Sequence, residues 1–522
     1  MIWRVSDYNV TTIDLIESTR LQIQSRLDAA KSPAERNKLG QFATSTALAT
    51  DILGYAKTLL PAGQEVRFFD PAVGTGSFYS ALLRVFPPKR IARATGYEID
   101  PHYARQATKL WGDKSLDLRV ADFTKATPSE HEEAKANLLV CNPPYVRHHH
   151  LAGEEKLRLR RLVEQTAGVS LSGLAGLYCY FMCLSRAWLA PGGLSGWLVP
   201  GEFMDVNYGR QIKEFLLSRV TLLRVHRFDP NNVQFDDALV SSAVVWFRNN
   251  LPPKNHAVEF SFGGTLAKPV VTARVPGEVL RAEVKWTKFP TVGRPDASIQ
   301  KSVKLSDLFS IKRGLATGAN DFFVLTPEQV KEHDLPDEFL LPILPSPRYL
   351  STDEIRATTE GGPVTDRELF LLACDLPESE VKERCPTLWR YFKLGAERRI
   401  KTRYLCRNRS PWYAQEHRPP APLLCTYMGR QNTKRGRPFR FILNHSNATA
   451  ANVYLMLYPR PAFENELRVN PQLLRVVWQF LNQTALKTLT DEGRTYGGGL
   501  HKLEPKELGN VPVDESILAP LG

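Results

Sequence analysis

The chain lacks an apolar run long enough to cross a bilayer. Its longest apolar stretch, residues 177–190, contains Arg186 and is shorter than the roughly 20 residues that a membrane-spanning helix needs. The first residues also lack the positively charged segment followed by an apolar segment that is typical of a secretory leader. The sequence therefore predicts a cytoplasmic protein.

Cysteine is scarce and shows no pairing pattern. The 522 residues include seven cysteines, and their spacing does not suggest a disulfide framework. Cys179 and Cys183 lie four residues apart in a helical pattern, but no second Cys or His pair accompanies them as a zinc site would require. We expect free thiols in a reducing compartment, these two cysteines in the core, and no bound metal.

Acidic residues are nearly missing from one part of the chain. The formal net charge is +13, and residues 390–440 contain fourteen lysines and arginines but only Glu397 and Glu416 as acids. A basic excess concentrated in this way indicates a polyanionic partner, and a solvated loop that is basic by chance is the alternative. The expected DNA-binding residues in and around it are Arg403, Arg407, Arg409, Arg430, Lys434, Arg435 and Arg437.

Aromatic and amide side chains are interleaved with these cations. Arg suits guanine edges and Asn or Gln suits adenine edges, so we expect contacts to bases as well as to phosphates. The interleaved aromatic residues are Tyr404, Trp412, Tyr413 and Tyr427.

Strands and helices alternate in the first half of the sequence. This alternation predicts a mostly parallel, doubly wound α/β sheet of Rossmann-like type. The predicted strands are 66–70, 94–98, 116–120, 137–141 and 194–199, with a closing pair at 222–228 and 243–247. The predicted helices are 78–85, 101–111 and 177–189, the last followed by a turn at 191–193.

The character of the chain changes after residue 247. Residues 249–255 resemble a linker, and the elements beyond them are short and irregular, with frequent prolines. We therefore expect a first domain at 1–255, with a helical segment over about 1–40, and a mixed α+β domain at 256–522.

The most informative motif follows the strand at 137–141. It consists of Asn142, Pro143, Pro144 and Tyr145. Neither proline has an N–H, each has a fixed φ, and a residue before proline is held extended. The Asn142 amide and the carbonyls after it should therefore point in set directions beside an aromatic ring. This arrangement suits a flat, amino-bearing ring, and an ordinary Pro-Pro turn is the alternative.

Acidic residues end two other strands and closely follow a third. Residues 70–77 contain two glycines, which allow a tight turn and a close approach of a ligand to the backbone. They match neither the full dinucleotide fingerprint nor a P-loop. Glu98 ends the next strand and could accept from ribose hydroxyls, and Asp122 with Phe123 could bind an exocyclic amine and stack on its ring. Open α/β sheets bind ligands at this edge.

In this order, the motifs resemble those of the gamma-type adenine-N6 DNA methyltransferases of restriction–modification systems. The segments that carry the resemblance are 70–76, 96–100, 121–123 and 142–145, preceded by 40–44 and followed by 312–318 and 496–499. Ser45 stands where relatives often have proline. The resemblance covers most of the chain and is specific in its first 250 residues.

The resemblance implies S-adenosylmethionine as cofactor. The residues that would bind it are Thr44, Asp70, Ala72, Gly74, Gly76, Glu98, Ile99, Asp122, Phe123 and Asn142. Asn142, Pro143 and Tyr145 would form the catalytic motif, and Phe235 would be the second aromatic residue that sandwiches the target base. A core phenylalanine is the alternative for Phe235.

The resemblance also implies the reaction and its partners. The first domain would transfer a methyl group to N6 of a flipped-out adenine in a specific duplex DNA sequence, and the second would recognise that sequence. The modification would protect host DNA from a cognate restriction endonuclease that acts separately. We expect a monomer.

Other readings of the same residues stay open. RNA-adenine methylases and protein-glutamine methylases carry a similar Asn-Pro-Pro-Tyr motif, and the basic second half argues against both. A DNA-specificity protein with an inactive methylase core is a further alternative. A fused methylase–nuclease is disfavoured, since only about 40 residues precede the first cofactor motif, fewer than a domain requires.

Overall fold

The chain forms two compact units. The computed structural model describes residues 10–112, 115–229, 241–290, 302–430, 436–484 and 486–514. The first unit comprises residues 1–294 and 496–498, and the second comprises 295–495 and 499–522. Within the described residues, no helix is both long and apolar enough to cross a membrane.

The first unit alternates helices with strands, as the sequence predicts. Its helices are α1 (Val10–Ala29), α2 (Pro33–Leu39), α3 (Thr46–Leu59), α4 (Ser77–Val85), α5 (Pro101–Trp111), α6 (Gly153–Ala167), α7 (Leu177–Leu184), α8 (Gly209–Ser218) and α9 (Gly277–Ala282). Its strands are β1 (Val66–Asp70), β2 (Ile91–Glu98), β3 (Leu116–Val120), β4 (Ala136–Cys141), β5 (Leu189–Pro200), β6 (Thr221–Arg227), β7 (Ser242–Arg248), β8 (Ala257–Gly264) and β9 (Pro269–Pro276).

Over the described residues, these strands make one nine-stranded sheet in the order β3-β2-β1-β4-β5-β7-β6-β8-β9. The strands from β3 to β5 in this order are parallel, and β7 is antiparallel to both β5 and β6. Every residue of β4 is buried, as expected for a central strand covered on both faces. The predicted parallel α/β sheet and its closing antiparallel pair are confirmed.

The first unit extends further along the chain than the expected boundary at 255–256. Strand β8 pairs in parallel with β6, and β9 pairs antiparallel with β8 at the edge of the same sheet. The segment at 249–255 is therefore a connection within this sheet. The structural division instead falls between Arg294 and Pro295.

A turn predicted at residues 191–193 is a bulge inside β5. The register with β4 shifts there, because Ala136 pairs with Leu189 while Leu138 pairs with Leu194. Gly192 has φ +72°, a value that favours glycine. The helix predicted over 177–189 correspondingly ends as α7 at Leu184 and continues as a short 3₁₀ segment.

The cysteine prediction is confirmed for the described thiols. All seven cysteines are free and buried. Cys179 and Cys183 have no measurable exposure, and burial raises the pKa of both thiols. They are core residues of α7.

The second unit is a mixed α+β body. Its helices are α10 (Leu305–Leu308), α11 (Asn320–Phe323), α12 (Pro327–Glu332), α13 (Glu378–Arg384), α14 (Pro386–Glu397), α15 (Tyr404–Arg407), α16 (Pro461–Val469), α17 (Gln472–Gln483), α18 (Leu486–Glu492) and α19 (Pro505–Gly509). Its first seven strands are β10 (Ser302–Lys304), β11 (Phe309–Arg313), β12 (Val324–Leu325), β13 (Leu340–Leu344), β14 (Glu354–Ile355), β15 (Phe370–Leu372) and β16 (Leu423–Thr426).

The later strands complete several small sheets. They are β17 (Met428–Arg430), β18 (Phe441–Asn444), β19 (Thr449–Ala450), β20 (Tyr454–Pro459), β21 (Arg494–Tyr496), β22 (Leu500–Lys502) and β23 (Pro512–Asp514). The largest sheet that the described residues form here has the order β11-β20-β16-β18-β14, with parallel pairing only between β14 and β18. The mixed α+β architecture predicted for the second half is confirmed.

Candidate active site

A cavity of about 320 Å³ lies beyond the carboxyl ends of β1, β2, β3 and β4. This is the edge at which open α/β sheets bind ligands. Most of the sequence-predicted cofactor residues line it, namely Thr44, Ala72, Gly74, Glu98, Ile99, Asp122, Phe123 and Asn142. Asp70 and Gly76 belong to the same β1–α4 loop but do not line the cavity. The ordered motifs thus converge on one space.

The β1–α4 loop turns tightly through two left-handed glycines. Gly74 has φ +60° and Gly76 has φ +92°. A Cβ atom on Gly76 would lie 2.3 Å from Nε1 of Trp111, whose indole N–H donates to the Thr75 carbonyl at 2.8 Å. A Cβ atom on Gly74 would meet nothing within 4 Å. Gly76 therefore permits close packing against α5, and Gly74 leaves open space beside its backbone.

Two desolvated carboxyl groups lie beside this loop. Asp70 is 1% exposed and accepts from the Ala72 N–H at 3.0 Å, and burial raises its pKa to about 7. Glu98 accepts from the Gly74 N–H at 2.8 Å and the Asp100 N–H at 2.7 Å, and burial also raises its pKa. None of the ion pairs within the described residues involves either group. A cationic or hydroxyl-bearing ligand would stabilise their charged forms.

The far wall of the cavity is apolar. Phe123 is 3% exposed, and its ring packs against Phe69, Phe181 and Trp188 with centroid distances of 5.9, 5.1 and 5.5 Å. Ile99 is 65% exposed at the cavity. These side chains suit a flat, apolar ring face. One carboxylate oxygen of Asp122 already has a hydrogen-bond partner, because Oδ1 accepts from the Thr124 N–H at 2.9 Å.

The segment before α3 orients the Asn142 amide. Nδ2 of Asn142 donates to the Phe42 carbonyl at 2.8 Å and to Oγ1 of Thr44 at 3.1 Å. A carbonyl oxygen can only accept, so this contact requires the amide nitrogen to face Phe42 and fixes the orientation of the side chain. Oδ1 is buried and has no hydrogen-bond partner among the described residues. An unsatisfied buried acceptor at a cavity wall is a site for a donor on a ligand.

Tyr145 is less accessible than its position in the motif suggested. It is 7% exposed, its hydroxyl donates to the Leu198 carbonyl at 3.1 Å, and its ring centroid is 5.4 Å from that of Phe42. Tyr145 and the buried Pro143 do not line the cavity, whereas Pro144 does. Phe235 lies outside the described residues.

Sequence reasoning missed the contribution of α1. The cavity is also lined by Gln24 and Asp28 of this helix. Gln24 accepts from the Thr75 hydroxyl at 2.6 Å and Asp28 accepts from the Tyr103 hydroxyl at 2.7 Å. The only sequence signal was a polar segment with helical spacing, which does not indicate a ligand site.

Relatives of known class match nearly the whole chain. The type II methyltransferase M.XamI from Xanthomonas campestris pv. amaranthicola is 30% identical over 473 residues, which cover 87% of this chain and 82% of the relative. The chain belongs to the type II methyltransferase family. M.AccI from Acinetobacter calcoaceticus, another type II methyltransferase, is 25% identical over 91% of this chain and 85% of its own length.

Two family models match successive parts of this type II methyltransferase. Residues 89–234 match the Eco57I restriction-modification methylase, and residues 295–519 match the C-terminal domain of the type II methyltransferase M.Eco57I. The second match begins where the structure divides. The fold is similar to that of the type IIL restriction-modification enzyme MmeI, solved in complex with DNA, with a TM-score of 0.53, 14% identity and coverage of 95% of this chain and 67% of MmeI.

The basic residues of the methyltransferase's second unit have different surroundings. Arg403 pairs with Asp321 at 2.8 Å, Arg409 donates to the Ala316 and Thr317 carbonyls, and Arg437 donates to the Asn482 carbonyl. Arg407 and Arg430 are exposed, and Arg407 lies over the ring of Tyr404. Lys434 and Arg435 lie outside the described residues.

Three of the four aromatic rings interleaved with the cations are buried, so they do not present a surface for the expected contacts to bases. Trp412, Tyr413 and Tyr427 are 5%, 1% and 4% exposed. Trp412 and Tyr413 pack into the core beside Phe392. Tyr404, at 69% exposed, is the ring left at the surface.

Proposed function

We propose that this type II methyltransferase transfers a methyl group from S-adenosylmethionine to N6 of adenine in a specific duplex DNA sequence. The observation that carries the proposal is Oδ1 of Asn142, a buried acceptor without a partner among the described residues, held at the cavity by the Phe42 carbonyl and the Thr44 hydroxyl. An acceptor fixed in this way matches the exocyclic amine of adenine.

The chemistry of the amine explains why a fixed acceptor is needed. The N6 lone pair of adenine is delocalised into the ring, which makes the amine a poor nucleophile. If Oδ1 of Asn142 and the Pro143 carbonyl accept the two N6 hydrogens, the nitrogen moves toward tetrahedral geometry and its lone pair becomes available. Acceptors placed in advance where positive charge develops act as the counterpart of an oxyanion hole.

The residues around the cavity fit the cofactor. S-adenosylmethionine, when bound, supplies a methyl group on a positively charged sulfonium. The desolvated carboxyl group of Glu98, which lines the cavity, and that of the neighbouring Asp70 favour a cationic ligand, and Glu98 could accept from its ribose hydroxyls. Ile99 and Phe123 would cover the two sides of the adenine ring. Asp122 would accept from its amine through Oδ2, which lies 3.9 Å from Nζ of Lys125. The Gly74 backbone would border the methionine part.

The target base must leave the duplex to reach Asn142. Base flipping costs a few kcal/mol. Stacking on an aromatic ring would offset this by roughly 1–3 kcal/mol per ring, and we assign this role to Tyr145 and Phe235. Tyr145 would need to expose a ring face, because its ring is now 7% exposed.

The second unit would recognise the DNA sequence. Arg403, Arg407, Arg409, Arg430, Lys434, Arg435 and Arg437 are the proposed contacts, and their positive charge supports binding to the phosphate backbone. The enzyme would act in the cytoplasm as a monomer. It would protect the DNA from a separate restriction endonuclease of the same specificity.

The modified nucleoside decides the proposal. The purified protein is incubated with labelled S-adenosylmethionine and genomic DNA, total RNA or cell protein, and the digested products are separated by mass spectrometry. We expect labelled N6-methyl-2′-deoxyadenosine from DNA, and no labelled product from RNA or protein. Label on cytosine, on RNA or on glutamine would contradict the assignment. Single-molecule sequencing of the methylated DNA would then give the recognised sequence.

A further inference from the structure

A buried ion pair on α1 lies behind the β1–α4 loop. Arg20 has no measurable exposure, and its partner Glu17, one helical turn earlier, is 3% exposed. The contact is bidentate, with Nε of Arg20 2.8 Å from Oε2 of Glu17 and Nη2 2.7 Å from Oε1. Both charges have lost their water, so this pair needs an explanation beyond general stability. Such pairs contribute little net stability compared with apolar side chains of similar volume.

The remaining nitrogen of Arg20 holds the loop itself. Nη1 donates to Oγ1 of Thr75 at 3.0 Å and to Oγ of Ser77 at 2.9 Å. These hydroxyls flank Gly76, the left-handed residue at the start of α4. One guanidinium group thus fixes both sides of the turn.

Thr75 is also held from two other directions. Its hydroxyl donates to Oε1 of Gln24 at 2.6 Å, one turn after Arg20 on α1. Its carbonyl accepts from the Trp111 indole at 2.8 Å, from the opposite side of the loop. Thr75 lines the cavity, whereas Arg20 does not.

We propose that Arg20 is a positioning residue for cofactor binding, which acts by holding the Thr75–Ser77 turn in the shape that borders the cavity. Glu17 orients the guanidinium group through its bidentate contact, and Gln24 holds the Thr75 hydroxyl from the next turn of α1. The inference rests on the proposed function for the identity of the ligand. Its new content is that α1 determines the shape of the binding loop.

A purely structural role for the pair makes a different prediction. Helix α1 has a second anchor to α4, in which Nη2 of Arg84 lies 2.8 Å from Oδ1 of Asp14. This anchor joins the same two helices but touches neither Thr75 nor Ser77. If docking of α1 were all that matters, loss of either anchor would have a similar effect on ligand binding.

The test compares variants by three measurements. These are the dissociation constant for S-adenosylhomocysteine by calorimetry, hydrogen exchange at amides 73–77 in the ligand-free protein, and the melting temperature. Arg20→Lys removes the planar set of guanidinium donors, because a single ammonium group cannot reach Glu17 and the hydroxyls of Thr75 and Ser77 together. Thr75→Val disconnects the loop while the Arg20–Glu17 pair stays intact, and Thr75→Ser keeps the hydroxyl.

The controls separate positioning from stability. Arg84→Lys weakens the second α1 anchor. Arg224→Lys weakens another ion pair of the same unit, in which Nε of the buried Arg224 is 2.9 Å from Oε1 of the partly exposed Glu259. Arg224 and Glu259 do not line the cavity.

We expect Arg20→Lys and Thr75→Val to weaken S-adenosylhomocysteine binding about tenfold or more, the loss that follows removal of a hydrogen bond to a charged group. Both should speed exchange at amides 73–77, and Thr75→Ser should restore binding. Arg224→Lys should lower the melting temperature without changing affinity.

Two results would overturn the inference. One is that Arg20→Lys and Thr75→Val lower only the melting temperature and leave binding and exchange at 73–77 unchanged. The other is that Arg84→Lys weakens binding as much as they do. If the wild-type protein does not bind S-adenosylhomocysteine, the proposed function fails instead, while the exchange measurement still tests whether Arg20 holds the loop.

Discussion

The cavity at the sheet edge and the basic stretch at 390–440 differ in how the structure places their predicted functional residues. Eight of the ten predicted cofactor residues meet at one cavity. Among the predicted DNA contacts, Arg403 forms an ion pair, and Arg409 and Arg437 donate to backbone carbonyls of the same unit. The first set was chosen by its order along the chain and the second by its charge.

This difference shows which sequence features carry positional information. Residues at the ends of successive parallel strands must lie at the same edge of the sheet, so the order of the motifs fixes their neighbourhood. A count of arginines does not determine which surface their side chains occupy. A guanidinium has five donors and often donates to carbonyls of its own fold. Net charge predicts the kind of partner, whereas the order of the motifs predicts where their residues lie in the fold.

Asn142→Ala is the strongest test of the role proposed for the residues at the cavity. Loss of the fixed acceptor should lower the methylation rate by at least about a hundredfold, by analogy with the loss of a pre-positioned group in an oxyanion hole. Binding of S-adenosylhomocysteine should persist. The rate is measured by transfer of tritium to DNA and the binding by calorimetry.

The matched control for this prediction is Asn137→Ala. Asn137 is a buried asparagine on β4 whose amide contacts only Arg67 and Glu65 in the described residues. Its loss should lower stability and leave the methylation rate of the folded enzyme intact. A near wild-type rate for Asn142→Ala would refute the mechanism.

Gly40→Ala tests whether the segment before α3 holds the loop at residues 142–145, which we propose to be catalytic. Gly40 has φ +66°, and a Cβ atom there would lie 2.3 Å from the Tyr145 nitrogen. We expect a displaced loop and a methylation rate lowered by about tenfold or more, since small displacements of reacting groups are costly. Gly63→Ala is the control, because Gly63 has φ +78° but nothing within 4 Å. Gly63→Ala should lower the free energy of unfolding by only about 1–2 kcal/mol. Equal loss of methylation in both variants would show that the segment before α3 does not hold the loop at 142–145.

Arg407→Ala and Arg409→Ala test the basic side of the comparison with two residues from the same stretch. Arg409 donates to two carbonyls, so its loss should destabilise the protein by about 1–3 kcal/mol. Arg407 is exposed over Tyr404, so its loss should leave the melting temperature unchanged. It should weaken DNA binding and reduce the salt slope by about 1. The reverse pattern in thermal unfolding and DNA titration would show that exposure does not identify the contacts.

A pH dependence of stability is expected from Asp70. Its pKa is raised from 3.8 to about 7 by burial, so the folded state retains a proton that the unfolded state loses above pH 3.8. Stability of the ligand-free protein should therefore fall as pH rises from about 4 to 7, by at most about 1.4 kcal/mol per pH unit. Asp70→Asn should flatten the dependence of the free energy of unfolding on pH, measured by urea unfolding. Asp117→Asn, at an exposed position, should leave it unchanged. An unchanged slope in Asp70→Asn would assign the effect to other groups.

Much of the first unit could be predicted from the sequence because its signals are local. Strands β1 and β3 and helix α5 have the predicted bounds. Asp100 caps α5 by accepting from the His102 N–H. The pairing of β8 with β6 could not be predicted, because a proline-rich connection inside a sheet has the same composition as a linker. The role of α1 was hidden for a related reason, since Arg20 on a polar helix gives no sign that it will be buried.

The Asn142 amide is oriented by a backbone atom, the carbonyl of Phe42, and not by the side chain of that residue. A point substitution can change the ring at position 42 but cannot delete its carbonyl. An inserted or deleted residue between Gly40 and Thr44 would shift that oxygen along the chain and lose the contact at once. The contact therefore depends on the number of residues between Gly40 and Thr44, and not on the side chain at position 42.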